Sequence, residues 1–173
     1  CDLGSTVTTV GPTLVSGDAG CDGAQYEIVY TVTDDCGQTA SCTQAWTLEV
    51  APPTIECPAD QTVACESDLA IGTPVTNTSC DLGSTVTTVG PTLVSGDAGC
   101  DGAVYEVEYT VTDDCGQSAS CTQIWTLEVA PPTIECPADQ TVTCESDLAI
   151  GTPVTNTSCD LGSTVTTVGP TLV

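Results

Sequence analysis

The chain has no lysine, no arginine and no histidine, and its 24 acidic residues give a formal net charge of −24. A protein without cations cannot neutralise phosphate, so nucleic acid is excluded as a partner. The same lack argues against direct docking on anionic lipid. Lys–Asn isopeptide staples cannot form, and trypsin-type proteases find no site. Phe and Met are also absent, and aromatic residues make up only 3%. Little large apolar surface is therefore available for a core. No apolar run is long enough to span a bilayer, no signal peptide is present and no window shows helical periodicity.

Thirteen cysteines are present. Small domains with limited cores are commonly stapled, and disulfides at this density point to an oxidising place, extracellular or at the cell surface. The zinc alternative is poor, because there is no histidine and no CxxC knuckle.

A 79-residue unit is written twice and begun a third time. Residues 1–79 and 80–158 differ at six positions: Gln25/Val104, Ile28/Val107, Val29/Glu108, Thr39/Ser118, Ala45/Ile124 and Ala64/Thr143. Residues 159–173 then repeat residues 80–94. Tandem copies of this kind signal an array. The chain lacks Met and starts in mid-repeat, so it reads as a processed or excerpted piece of something longer.

The segments Ala51-Pro52-Pro53 and Ala130-Pro131-Pro132 separate alternating runs. Paired prolines cannot donate to a ladder and favour stiff, extended linkers. The expected domains are therefore 1–50 (the back of one), 51–129 (a whole one) and 130–173 (the front of the next).

Inside the unit, Tyr105, Val107, Tyr109 and Val111 alternate with Glu106, Glu108, Thr110 and Thr112. That period predicts a strand with one buried face. Asp113–Gln117 reads as a turn, followed by a second strand with Cys121, Gln123, Trp125, Leu127 and Val129 in phase. Further short strands are expected at 54–57, 61–65, 74–78, 84–89 and 91–95. Seven short strands in 79 residues predict an all-β fold, a tandem array of immunoglobulin-like antiparallel β-sandwich domains stapled by disulfides.

The stretch Pro-Pro-Thr-Ile-Glu-Cys-Pro-Ala-Asp-Gln-Thr-Val at 52–63 resembles the opening of a hyalin repeat domain. The stretch Tyr-Thr-Val-Thr-Asp-Asp-Cys-Gly-Gln-Ser-Ala-Ser-Cys-Thr at 109–122 resembles its closing hairpin. The resemblance covers the whole unit and is to the cysteine-rich versions in long surface or secreted proteins of Bacteroidetes-type bacteria. It implies an immunoglobulin-like fold, an extracellular adhesive or structural role and no catalytic residues. The six cysteines per unit exceed the simplest pattern of that family, so their pairing cannot be taken from it.

Six cysteines allow fifteen connectivities. In such a sandwich, Cys57 and Cys121 open strands at one pole, Cys80 and Cys115 end strands at that pole, and Cys65 and Cys100 lie in loops at the other. The expected bonds are Cys57–Cys121, Cys80–Cys115 and Cys65–Cys100, with Cys1–Cys36 as the copy of the second. Cys21, Cys42, Cys136, Cys144 and Cys159 are then inter-domain or inter-chain candidates, through Cys136–Cys42, Cys144–Cys21 and Cys159–Cys36. The duplicated end segment disfavours a clean subunit and favours an excerpt from a continuous polypeptide.

Acidic loop residues Asp97, Asp101, Asp113 and Asp114 are candidate calcium ligands, since calcium prefers hard oxygen donors. The plainer reading makes them turn formers on a solvated surface. No other cofactor is called for. Asn77 and Asn156 sit in Asn-X-Ser/Thr acceptor patterns. Trp46 and Trp125 match the buried phase, so core packing outweighs a sugar-stacking role. Acid–base work has only carboxylates to draw on, which argues against an enzyme. The expected function is a structural segment of an extracellular filament or stalk whose partner is itself. The alternative is an adhesin repeat that binds carbohydrate or another surface, with calcium if calcium is bound.

Overall fold

A computed structural model describes residues 4–80, 82–159 and 161–171. These residues are all-β apart from two 3₁₀ turns, Glu66–Asp68 and Glu145–Asp147. No helix among them is long and apolar enough to cross a membrane.

The strands are β1 (Ser5–Ser16), β2 (Gln25–Asp34), β3 (Thr39–Thr47), β4 (Thr54–Glu56), β5 (Gln61–Val63), β6 (Val75–Asn77), β7 (Ser84–Ser95), β8 (Val104–Asp113), β9 (Ser118–Leu127), β10 (Thr133–Glu135) and β11 (Val154–Asn156). They form a three-stranded sheet β1-β2-β3, a four-stranded sheet β5-β9-β8-β7, and the two-stranded pairs β4-β6 and β10-β11. Strand β5 runs parallel to β9, with Gln61 opposite Trp125 and Val63 opposite Leu127.

Alternation decides which faces are dry. Tyr105, Val107, Tyr109 and Val111 of β8 are buried, as are Trp125 and Leu127 of β9. The turn between β8 and β9 is closed by Asp113, whose Oδ1 accepts from the N–H groups of Cys115 (3.0 Å) and Gln117 (2.8 Å). Two carboxylate-accepted bonds within one turn are the Asx geometry that sequences of this type favour.

Two details depart from the sequence reading. The expected short strands at 84–89 and 91–95 are one strand, β7, that runs through a cis Gly90–Pro91 bond. In its copy, β1, the register against β2 skips between Val10 and Thr13, across Gly11-Pro12. Proline cannot donate to the ladder, so the strand absorbs it as an irregularity instead of ending. Gly90 has φ +111°, and a Cβ there would meet the Glu106 carbonyl oxygen at 2.5 Å. Only glycine fits. The 3₁₀ turns were not expected from periodicity, since three residues are too few to show any.

The chain divides into two compact units. One comprises Cys1–Glu56, Pro74–Thr88 and Tyr109–Cys121. It contains β1–β3, the β4–β6 pair and the Asp113–Gln117 turn. The other comprises Cys57–Thr73, Val89–Glu108 and Thr122–Val173, with β5 beside the end of β9 and the β10–β11 pair.

Candidate functional site

The most distinctive chemistry is the cysteine network. In the first unit Cys21 is bonded to Cys115, with Cα atoms 5.5 Å apart and a sequence separation of 94. In the second unit Cys65 is bonded to Cys159, with Cα atoms 5.2 Å apart and again a separation of 94. Cys57 and Cys121 are disulfide-bonded as well. Cys36, Cys42, Cys80, Cys100, Cys136 and Cys144 are exposed thiols.

The shared separation has a simple origin. Cys36 lies 15 residues after Cys21, and Cys80 lies 15 after Cys65. A separation of 94 is one repeat beyond that. Each bonded loop cysteine thus passes over the nearby cysteine of its own repeat and takes the copy of it in the next repeat.

This network differs from the expected Cys80–Cys115 and Cys65–Cys100 bonds. The expectation treated each repeat as an isolated sandwich and matched cysteines pole by pole. In the first unit, however, the Asp18–Gly23 turn of one repeat is bonded to the Asp113–Gln117 turn of the next. A further contact supports this junction: Gln117 Nε2 donates to the Val50 carbonyl at 3.5 Å. Val50 and Pro53 are both buried, so the linker start is packed as well as stiff. In the second unit Cys65, which precedes the 3₁₀ turn Glu66–Asp68, meets Cys159 just after β11. Cys80 and Cys100 remain exposed thiols. Because Cys21 and Cys159 are used within the chain, neither is left for the inter-chain bonds Cys144–Cys21 and Cys159–Cys36. The Cys1–Cys36 bond falls on Cys1, outside the described residues.

The acidic candidates have local roles. Asp113 is buried and closes the β8–β9 turn. Asp114 Oδ2 accepts from the Gly83 N–H at 3.0 Å, and its copy Asp35 does the same for Gly4 at 2.8 Å. Asp101 Oδ1 accepts from the Val129 N–H at 2.9 Å, as Asp22 does from Val50. The Asp97 carbonyl accepts from the Cys100 N–H, closing the turn they share. Among the described residues no three His, Cys, Asp or Glu side chains gather as a metal site. Asn77 and Asn156 end β6 and β11, both exposed.

Loss of water around the buried Tyr105 hydroxyl raises its pKa, and the neighbouring Glu66 carboxylate adds to the rise. The Gly99 N–H donates to the same hydroxyl at 3.2 Å and acts the other way.

The core packing expected of Trp46 is not met, although Trp125 is buried as expected: Trp46 is 53% exposed. With Pro12, Tyr26, Ile28 and Leu48 it lines an open apolar hollow on the β1–β3 sheet. Its phase in the strand is that of Trp125, but phase sets only the face of the sheet and not whether that face is covered. No family model and no curated protein sequence matches this chain.

Proposed function

We propose that the chain is a structural segment of an extracellular filament or stalk. It would be built from hyalin-repeat-like, immunoglobulin-like domains strung head to tail. The observation that carries this reading is the pair of disulfides that both tie one repeat to the next at the same separation of 94 residues. A covalent tie placed beside each Pro-Pro linker resists bending and pulling at the weakest point of a domain string. Such bonds persist only in an oxidising compartment, which fits a place outside the cell. The absence of Lys and Arg removes trypsin-type cleavage sites, a useful property for an exposed cable. In this reading the protein is not an enzyme, and its main partner is itself.

Electron microscopy of the purified protein tests the reading. A strand of about ten residues spans roughly 33 Å, so filaments should show an axial repeat on the order of 35–45 Å per domain. Monomers that bind carbohydrate and lose binding on calcium chelation would support the adhesin alternative instead.

A further inference from the structure

Strand β8 buries Tyr105, Val107, Tyr109 and Val111, so the residues between them form the solvent face of its sheet. That face carries a grid of hydroxyls in both repeats. Strand register places Thr6 beside Thr33 and Thr33 beside Thr39, and in the next rank Thr8 beside Thr31 and Thr31 beside Ser41. The copies of these residues are Thr85, Thr112 and Ser118, then Thr87, Thr110 and Ser120. Neighbouring strands lie about 4.8 Å apart and alternate residues about 6.7 Å, so the hydroxyls repeat on a small regular lattice. Those on β1, β3, β7 and β9 are exposed, and those on β2 and β8 are half-buried. The face is open on β7–β9, whose other side is packed, as well as on β1–β3. Thr8 and Thr87 donate to the Thr31 and Thr110 carbonyls at 3.5 Å. Among the described residues the other grid hydroxyls have no protein partner.

Threonine is also a good strand residue, which alone would place it on a solvent face. Serine lies outside the set enriched in strands, yet Ser41 and Ser120 hold grid positions. The differences between the repeats separate the two explanations. Four of the six lie on this face: Gln25/Val104, Val29/Glu108, Ala45/Ile124 and Thr39/Ser118. Outside the grid they change size, polarity or charge. Inside it, the single change exchanges one hydroxyl for another. The grid also holds no carboxylate, in a chain of net charge −24.

We propose that the hydroxyl grid is a lateral docking surface for the same grid on a second copy of this chain. The proposal rests on the reading that the protein's main partner is itself, and it names the face used. With no Lys, Arg or His, one copy offers no cation to the carboxylates of another, and a carboxylate only accepts hydrogen bonds. Faces that carry carboxylates therefore repel each other. A threonine or serine hydroxyl both donates and accepts, so a hydroxyl face complements itself. A cationic partner would be drawn to the carboxylates instead. Val10 and Val89 continue the same face and are 65% and 63% exposed, so the contact also removes apolar surface from water. Six small side chains per repeat cover far less than the roughly 800 Å² per partner of a stable interface. One contact is weak, and strength comes from many repeats meeting in register. The contact is non-covalent and joins arrays side by side.

Analytical ultracentrifugation of the full oxidised chain tests this, with exposed thiols capped by iodoacetamide so that only non-covalent contacts count. Self-association should be weak in dilute salt and strengthen as added salt screens the charge between copies. Thr31→Glu/Thr110→Glu sets an unpaired carboxylate in each grid and should raise the dissociation constant at least about tenfold. Ser41→Ala/Ser120→Ala removes two hydroxyls without adding charge and should raise it about threefold. Thr73→Glu/Thr152→Glu adds the same charge at exposed positions outside the grid and should leave it unchanged. A chain that stays monomeric at millimolar concentration and high salt, or association that survives both grid variants, would overturn the proposal. Binding of soluble dextran that the grid variants lose, without self-association, would assign the face to carbohydrate and overturn it as well. Side-by-side pairing without axial filaments would count against the filament reading alone. Filaments that never pair laterally at high salt would count against this proposal alone.

Discussion

Trp46 and Trp125 occupy the same place in the repeat, yet Trp46 is 53% exposed and Trp125 is 6% exposed. The flanking text differs only at Ala45/Ile124. What separates them is the layer above: residues 59–63 lie along β9, and among the described residues no equivalent segment lies along β3. The pair is therefore a built-in reporter of whether a sheet has received its cover.

The first prediction follows from that contrast. Trp125→Ala should cost about 3–5 kcal/mol in chemical denaturation, the usual range for deleting a buried aromatic. Trp46→Ala should cost far less in a free chain. Acrylamide should quench Trp46 emission strongly in the Trp125→Phe background, and Trp125 emission weakly in the Trp46→Phe background.

Removing the first junction bond isolates its contribution. The loop closed by Cys21–Cys115 spans a separation of 94 residues, for which chain entropy predicts about 4–5 kcal/mol. The double variant Cys21→Ser/Cys115→Ser should lower stability by that order in urea unfolding. A Cys36→Ser/Cys100→Ser control, altered only at exposed thiols, should leave a free chain close to wild type.

Asp113 holds a turn and Asp114 holds a loop, so they should differ from a calcium pair. Asp113→Ala leaves two turn N–H groups without their acceptor and should cost on the order of 2–4 kcal/mol. Asp114→Ala removes one exposed bond, to Gly83, and should cost about 1 kcal/mol or less. Thermal melts with calcium and with chelator check the contrast.

Tyr105 sets an alkaline limit. Its pKa is raised in the fold, so the folded state holds the proton more tightly than the unfolded state. Stability from this group is intact below the unfolded value of about 10 and is lost as pH rises through the folded one. Tyr105→Phe should flatten that alkaline loss in a series of melts above about pH 10, with no change at neutral pH from this source.

Much of the fold was legible because two-residue periodicity and burial share one cause. Tyr105, Val107, Tyr109 and Val111 were in phase in the sequence and are buried in the structure. The turn at Asp113–Gln117 was legible because Asp and Gly carry turn chemistry in their own side chains and backbone. The Gly90-Pro91 continuation of β7 was not, since proline usually reads as a break. The cysteine pairing was the least legible part. Periodicity and poles describe one repeat, whereas Cys21 and Cys65 find partners across a junction, and a junction leaves no local pattern. Its trace was the repeat itself: Cys36 and Cys115 are copies of one position, and nothing local distinguishes them as partners.

The account turns on disulfides that run from one repeat to the next. Cleavage after glutamate without reduction, followed by mass spectrometry, reads them directly. The account predicts that the peptide ending at Glu27 is linked to the one ending at Glu128 through Cys21–Cys115. It likewise predicts that the peptide ending at Glu66 is linked to the one starting at Ser146 through Cys65–Cys159. Bonds confined to single repeats, with Cys80 linked to Cys115 and Cys65 to Cys100, would contradict it.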